Sequence, residues 1–95
     1  MKKRVVITGV GLVTPLGIGV AETWSALCAG KSGIDEITRF DTTNYQTKIA
    51  GEVRGFRNED WLVAKEANRT ELFIAYAIAA SRMAIEDSGL KINGS

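Results

Sequence analysis

Residues 72–80 read LFIAYAIAA, nine consecutive positions without a charged side chain. Around this run, apolar side chains recur at helical spacing on two faces: Leu72, Tyr76, Ala79 and Met83 on one, and Ile74, Ile78 and Ile85 on the other. A helix that is apolar nearly all round is a buried helix rather than a surface one. The pattern therefore predicts a buried helix from about Lys65 or Arg69 to Ser88, closed by Gly89. The rest of the chain offers too few strands and helices to cover it.

The N-terminal part predicts one strand and one helix. Arg4–Thr8 is a β-branched run that is apolar on both faces, which is typical of a buried, often parallel, strand with helices on each side. The glycine-rich stretch Gly9–Gly19, which contains a proline, predicts a long turn without regular structure. A helix is then predicted over Val20–Ala29, and Gly30 supplies its C-terminal stop.

The middle of the chain predicts only short elements. Residues 31–47 are expected to be a loop with short extended pieces, followed by a half-buried strand over Lys48–Val53. Asn58 is expected to cap a short helical turn that runs through Leu62. After the long helix, Lys91 and Ile92 are expected to start another strand. The sequence thus resembles the opening section of a larger α/β protein.

Composition excludes several classes of function. The chain has 12 Lys plus Arg against 11 Asp plus Glu, and this balance argues against a nucleic-acid arm or a polybasic membrane segment. No apolar stretch approaches the roughly 20 residues of a membrane span. The single cysteine, Cys28, excludes an internal disulfide and is typical of a reducing compartment. We therefore expect a soluble cytoplasmic protein without a nucleic-acid or membrane partner.

The absence of histidine restricts catalysis most strongly. Without histidine this chain contains no Ser-His-Asp triad, no Cys-His pair and no side chain whose unperturbed pKa lies between about 5 and 8. A zinc site would have to use carboxylates and one thiolate. We therefore predict no catalytic residue, no metal site and no cofactor within these 95 residues.

For two local patterns we prefer a structural role to a functional one. Thr8-Gly-Val-Gly11 follows a predicted strand, but Thr14 occupies the position where a dinucleotide-binding turn needs its third glycine, and Pro15 follows. Cys28 lies at the C-terminal end of a predicted helix, which is the wrong end to stabilise a thiolate. We expect a structural turn in the first case and core packing in the second.

The charged side chains near the start of the long helix leave two interpretations open. The carboxylates of this region are expected to be solvated, since their spacing isolates no pair in an apolar setting: Glu59, Asp60, Glu66 and Glu71. Lys65 and Arg69 lie at i and i+4, where cations are mildly unfavourable for the positive end of the helix dipole. This placement indicates either a binding role or simply a solvated face.

Longer stretches resemble one known family. Residues 4–41, RVVITGVGLVTPLGIGVAETWSALCAGKSGIDEITRFD, closely resemble the N-terminus of type II β-ketoacyl-acyl carrier protein synthases. The segment IAGEV at 49–53 and the helix KEANRTELFIAYAIAASRMAIEDSGL at 65–90 follow in the family's order. The resemblance covers Lys3 to Ile92, and the whole set of segments is far more specific than any one of them.

The resemblance implies a fold and a reaction. The fold would be α/β: residues 1–95 would be the incomplete N-terminal part of a thiolase-like, five-layered αβαβα fold, within the N-terminal domain of a homodimeric ketosynthase. The family elongates fatty acyl chains by a decarboxylating Claisen condensation with malonyl-acyl carrier protein, using a cysteine nucleophile and two histidines. In the family these residues lie downstream of the region matched here, so no catalytic residue is assigned, and Cys28 does not match the nucleophile's motif.

One binding feature carries over from the resemblance. In these synthases a basic patch near the start of the long helix contacts the acidic helix of acyl carrier protein. The matching positions are Lys65, Asn68 and Arg69, of which Asn68 replaces a residue that is usually basic. Lys65 and Arg69 are therefore the expected carrier-binding residues.

Other interpretations stay open on sequence alone. The 95 residues could act by themselves as a carrier-binding or partner-binding module without catalysis. A polyketide ketosynthase, or a condensing-enzyme paralogue that lacks the cysteine, would also look similar over this stretch. The preference for acyl-chain length is not encoded in these residues.

Overall fold

The computed structural model describes residues 2–92. Its elements are β1 (Val13–Thr14), β2 (Gly17–Ile18), α1 (Val20–Cys28), β3 (Ile34–Glu36), β4 (Ile49–Gly51), a 3-10 helix (Asn58–Asp60), α2 (Ala64–Ala67) and α3 (Leu72–Ser88). Residues 13–57 form one compact unit, and residues 2–12 together with 58–92 form the other. This mixture of helices and strands agrees with the predicted α/β class.

A β-hairpin opens the unit formed by residues 13–57. In it β1 and β2 are antiparallel, with Thr14 opposite Gly17. The Thr14 hydroxyl oxygen accepts hydrogen bonds from the amides of Leu16 and Gly17, at 3.1 and 3.2 Å. The prediction that no regular element forms in this glycine-rich stretch is therefore wrong, because a threonine side chain and Pro15 stabilise a tight turn.

Helix α1 forms where the sequence predicts it. It begins at Val20 and ends at Cys28, one residue before the predicted end. Gly30 has φ of 73°, the left-handed conformation that favours glycine after a helix. The Glu22 carboxylate accepts a hydrogen bond from the Ile18 amide at 2.8 Å, which joins the first turn of α1 to β2.

The second sheet of this unit consists of β3 and β4. The two strands are antiparallel, with Asp35 opposite Ala50, and β4 lies within the predicted strand Lys48–Val53. A loop over residues 38–47 connects them and is closed at its base by a 2.9 Å hydrogen bond from the Ile37 amide to the Lys48 carbonyl. Both sheets have two strands, and both are antiparallel.

The loop over residues 38–47 is held by its own side chains. The Lys48 ammonium donates to the carbonyls of Thr42 and Tyr45, at 2.7 and 3.0 Å. The rings of Phe40 and Tyr45 contact each other edge to face, with centroids 5.5 Å apart. Loops whose ends meet and whose side chains contact one another in this way are compact rather than extended.

The predicted N-terminal strand is not formed among the described residues. Arg4–Thr8 pairs with no other strand there, and Val5 and Ile7 are 94% and 86% exposed. A strand needs a neighbour that satisfies its N–H and C=O groups, and neither two-stranded sheet includes this segment. The prediction of a buried strand is therefore wrong for residues 2–92.

Instead, the residues after this segment lie against α3. A side chain at Gly9 or at Gly11 would clash with the carbonyl oxygen of Ala84 or of Ala80, respectively. Between these glycines, the Val10 amide donates a 3.0 Å hydrogen bond to the Asp87 carboxylate. The glycines thus allow the backbone to pack closely on the helix.

The long predicted helix is interrupted. The four residues Ala64–Ala67 form α2, and α3 begins only at Leu72, after Glu71 with φ of −68° and ψ of 153°. The prediction of one helix from Lys65 or Arg69 onward is therefore wrong at its N-terminal end. At the other end the predicted stop is confirmed, because Gly89 has φ of 72°. Lys91 and Ile92 lie in no strand, and the following residues are outside the described range.

Helix α3 is only partly covered within its unit. Ala75 and Ala79 are fully buried, whereas Ile74, Ile78 and Ile85 are each more than a third exposed. These isoleucines line an open groove of about 560 Å³ along the helix. Among the described residues the helix is therefore incompletely covered, as the sequence predicts for a chain with too few other elements. Within the same range, no helix combines the length and the apolar character needed to cross a bilayer.

Candidate functional site

The predicted carrier-binding cations lie where α2 leads into α3, a region we call the α2–α3 corner (residues 64–72). Helical hydrogen bonding continues beyond Ala67, since the amides of Arg69 and Thr70 both donate to the Glu66 carbonyl, at 3.0 and 3.1 Å. Residues four positions apart on helical backbone lie on the same side. Lys65 and Arg69 therefore remain neighbours, although they lie on α2 and the turn after it rather than on the long helix.

A side-chain amide explains why the helix breaks at this corner. Nδ2 of Asn58 donates to the carbonyl oxygens of Ala67 and Thr70, at 3.1 and 3.0 Å. In an uninterrupted helix the Ala67 carbonyl would accept a hydrogen bond from the Glu71 amide. The Asn58 amide takes that acceptor instead, so the backbone can turn at Glu71 and begin a new helix.

The prediction that the Asn58 side chain caps a helical turn is wrong, although the turn itself forms. A short helical turn does begin at Asn58, and the amides of Trp61 and Leu62 donate to its backbone carbonyl at 3.1 and 2.9 Å. The side chain, however, bonds to the α2–α3 corner and not to the amides of its own turn. A cap and a long-range contact use the same residue type, and sequence alone does not distinguish them.

The electrostatic character of the α2–α3 corner is mixed. The side chains of Lys65 and Arg69 are exposed, and neither forms an ion pair with another side chain within residues 2–92. Their charges are therefore free to meet an anionic partner. Two carboxylates of the corner, Glu66 and Glu71, moderate the positive potential, and Glu59 and Asp60 lie just before it in the sequence.

Cys28 does not lie in a core. Its side chain is exposed at the last residue of α1, a helix that has no buried residue. The prediction of core packing is therefore wrong for the described residues, because nothing among them packs on that face of α1.

The structure also places the other residues singled out by the sequence. Gly9 and Gly11 pack on α3, and the intervening amide of Val10 is occupied by the Asp87 carboxylate, so this turn has a structural role. Within residues 2–92, no three His, Cys, Asp or Glu side chains come together as a metal site would require.

Sequence reasoning missed one buried charge, Glu52. The residue is 7% exposed, and its carboxylate accepts hydrogen bonds from the Thr38 amide and hydroxyl and from the Arg39 amide, at 2.9–3.3 Å. Desolvation raises the pKa of Glu52, but the hydrogen bonds from Thr38 and Arg39 outweigh it, so the pKa is lowered overall. The Arg54 guanidinium lies 3.7 Å away. Glu52 thus fixes the base of the 38–47 loop.

The structural comparison defines the class of fold. The chain is similar to the solved structure described as "The ishigamide ketosynthase/chain length factor", with a TM-score of 0.79 and 40% sequence identity. The match covers 90% of this chain and 21% of that one. This confirms the predicted class, an incomplete thiolase-like α/β fold.

The sequence comparisons identify the family. The family model "Beta-ketoacyl synthase, N-terminal domain" matches residues 2–94, so the chain belongs to the β-ketoacyl synthase family. It is 51% identical over 92 residues to the 3-oxoacyl-[acyl-carrier-protein] synthase 2 of Vibrio cholerae and to that of Coxiella burnetii. It is 48% identical over 91 residues to the protein of the same name from Staphylococcus aureus strain COL. These alignments cover 96–97% of this chain but only 22% of each relative.

Proposed function

We propose that residues 1–95 are the N-terminal segment of a ketosynthase N-terminal domain, within a 3-oxoacyl-acyl carrier protein synthase of fatty acid biosynthesis. The observation that carries this proposal is the 51% identity, over 97% of this chain, to relatives named 3-oxoacyl-[acyl-carrier-protein] synthase 2. The identity to the ishigamide ketosynthase/chain length factor is lower, at 40%.

The proposed reaction is an acyl transfer followed by a condensation. The acyl group passes from acyl carrier protein to a cysteine thiolate, and the carrier leaves as its thiol. Malonyl-acyl carrier protein then loses carbon dioxide, and its carbanion attacks the acyl thioester. The cysteine thiolate departs, and the lengthened 3-oxoacyl chain remains on the carrier. Histidines that polarise the malonyl thioester would have to come from outside these 95 residues, which contain none.

Within that enzyme, we assign to this segment a scaffold role and a contact with acyl carrier protein. Lys65 and Arg69 present two exposed charges, without ion pairs inside residues 2–92, on one side of helical backbone, as binding to an acidic helix would require. Exposed ion pairs contribute only about 0–1 kcal/mol each. The contact would therefore increase the rate of encounter more than it would hold the complex.

The uncovered apolar side chains support a second part of the proposal, that the remainder of the ketosynthase chain packs on this segment. Val5 and Ile7 are exposed in a segment that belongs to no strand, and Ile78 lies in an open groove. Exposed apolar side chains in this number favour a contact with other protein. The family resemblance further supports a homodimer in the cytoplasm.

The test uses the full-length protein with acyl-acyl carrier protein and malonyl-acyl carrier protein. Release of carbon dioxide together with formation of a 3-oxoacyl-acyl carrier protein is expected. Carrier binding without either product would instead support a binding module without catalysis. Failure both to bind the carrier and to form product would contradict the proposal.

Charge reversal tests the carrier contact separately. Lys65→Glu with Arg69→Glu is expected to slow acyl transfer from the carrier at low salt, and less so at high salt, because screening weakens exposed charges. Lys3→Glu with Lys31→Glu changes the net charge equally at other exposed positions and serves as the control. A transfer rate unchanged by the first pair at every ionic strength would exclude this contact.

A further inference from the structure

We propose that Asn58 is a positioning residue for carrier docking, because it fixes the α2–α3 corner from which Lys65 and Arg69 project. The inference rests on the proposed contact between these cations and acyl carrier protein. It assigns a role to a residue that itself carries no charge and does not belong to the expected basic patch.

The first support is the way one amide group joins two parts of the corner. Nδ2 of Asn58 donates to the carbonyl of Ala67, the last residue of α2, and to that of Thr70, just before α3. The last carbonyls of a helix have no intrahelical partner and need another donor. Asn58 thus holds the end of α2 and the turn after it in one fixed arrangement, and Arg69 lies between the two bonded carbonyls.

The second support is the orientation of the amide. Oδ1 of Asn58 is buried and accepts no hydrogen bond within residues 2–92. A carbonyl accepts and never donates, so only the NH₂ group of Asn58 can satisfy Ala67 and Thr70, and the amide cannot reverse. The two donated bonds therefore fix the orientation of the amide.

The third support is the lack of other anchoring for the cations themselves. Lys65 and Arg69 are exposed and make no ion pair within the described residues, so no carboxylate there fixes either side chain. The positions of the two charges are therefore determined by the backbone of the corner. The Thr70 hydroxyl, which donates to the Glu66 carbonyl at 2.7 Å, reinforces α2 locally but does not connect it to another segment.

The test is a double-mutant cycle in the full-length protein, with the dissociation constant for acyl carrier protein measured at low and at high salt. Replacing both cations by Lys65→Gln and Arg69→Gln is expected to weaken low-salt binding about tenfold, as the loss of two exposed ion pairs predicts. Asn58→Ala is expected to weaken it about threefold and to reduce the salt dependence. In the protein that already carries both glutamine substitutions, Asn58→Ala is expected to have no further effect.

Controls separate positioning from general destabilisation. Asn44→Ala removes an exposed amide from the 38–47 loop and is expected to leave both affinity and salt dependence unchanged. Asn58→Ser retains one donor and is expected to restore part of the affinity that Asn58→Ala loses. It also provides the measurement if the alanine variant does not fold.

Each outcome has a distinct meaning. If the paired glutamine substitutions leave affinity unchanged, the carrier contact itself is wrong and the inference fails with it. If they weaken binding but Asn58→Ala does not, or if the two effects are additive, only the positioning role is wrong. Failure of both Asn58 variants to fold would show that Asn58 maintains the fold rather than the cations, which would also overturn the inference.

Discussion

The close contact between Gly11 and α3 gives the sharpest prediction about stability. A methyl group at Gly11 would clash with the Ala80 carbonyl oxygen and lie 2.9 Å from the amide nitrogen of Ala84. Both are backbone atoms in the middle of a helix, so they cannot move as a flexible side chain would. Overpacking of this kind costs about 1–3 kcal/mol. Alanine also lowers the conformational entropy of the unfolded chain relative to glycine, and this stabilises the folded protein by about 0.4–1 kcal/mol. The difference spans about 0–2.5 kcal/mol, and we expect Gly11→Ala to destabilise the protein by about 1–2 kcal/mol because the methyl group meets backbone that cannot move aside.

Urea unfolding of the full-length protein measures this loss as a shift of the midpoint. Gly30→Ala is the matched control, because Gly30 has open space around it but φ of 73°. That variant should lose about 1–2 kcal/mol through backbone conformation alone. Gly30→Asn should recover part of this loss, since asparagine tolerates the left-handed region, whereas Gly11→Asn should recover nothing. A Gly11→Ala protein as stable as the wild type would refute the packing of residues 9–11 on α3.

Two further substitutions test the remaining structural claims. The pKa of Glu52 is lowered in the folded state, so its stabilisation is present above the ordinary value of 4.5 and disappears as pH falls through the lower folded value. Glu52→Gln should therefore reduce stability at pH 7, and the loss should become smaller as the pH falls. Glu36→Gln, at an exposed position, is the control and should leave stability unchanged. Equal effects of the two substitutions at pH 7 would contradict the role of Glu52. Ile78→Ser should destabilise the full-length protein by about 2–4 kcal/mol if the rest of the chain covers the groove on α3. A loss below about 0.5 kcal/mol would show that this face stays exposed.

Helix ends were predictable from sequence because single residues determine them. Gly30 and Gly89 both take the left-handed conformation that a helix stop requires, and the predicted ends lie within one residue of those observed. The strand at Ile49–Gly51 was likewise predictable, from the alternation of apolar and polar residues around it. These features depend on neighbours in the sequence rather than on distant contacts.

Features set by distant side chains were not predictable in the same way. The break before α3 depends on Asn58, which lies nine residues from Ala67 and twelve from Thr70. The burial of Glu52 depends on Thr38, fourteen residues earlier, and a glutamate in a half-buried strand gives no sign of such a partner. In both cases a polar group is fixed by tertiary hydrogen bonds, which outweigh local propensity.

The apolar N-terminal run illustrates a different limit. The β-branched pattern of Val5, Val6 and Ile7 predicts burial, yet the described residues leave all three exposed. Such a pattern indicates that a segment is buried in its folded protein, but not which segment buries it. For the candidate site, the sequence supplied Lys65 and Arg69 through a family resemblance. It did not supply the corner geometry that places them.

The most direct test of the whole account is the location of the acyl group during turnover. We expect mass spectrometry of the full-length protein, after incubation with acyl-acyl carrier protein alone, to find the acyl thioester on a cysteine other than Cys28. Cys28→Ala should then retain the wild-type condensation rate. An acyl group on Cys28, or loss of condensation in Cys28→Ala, would contradict the assignment of this segment as scaffold and docking surface.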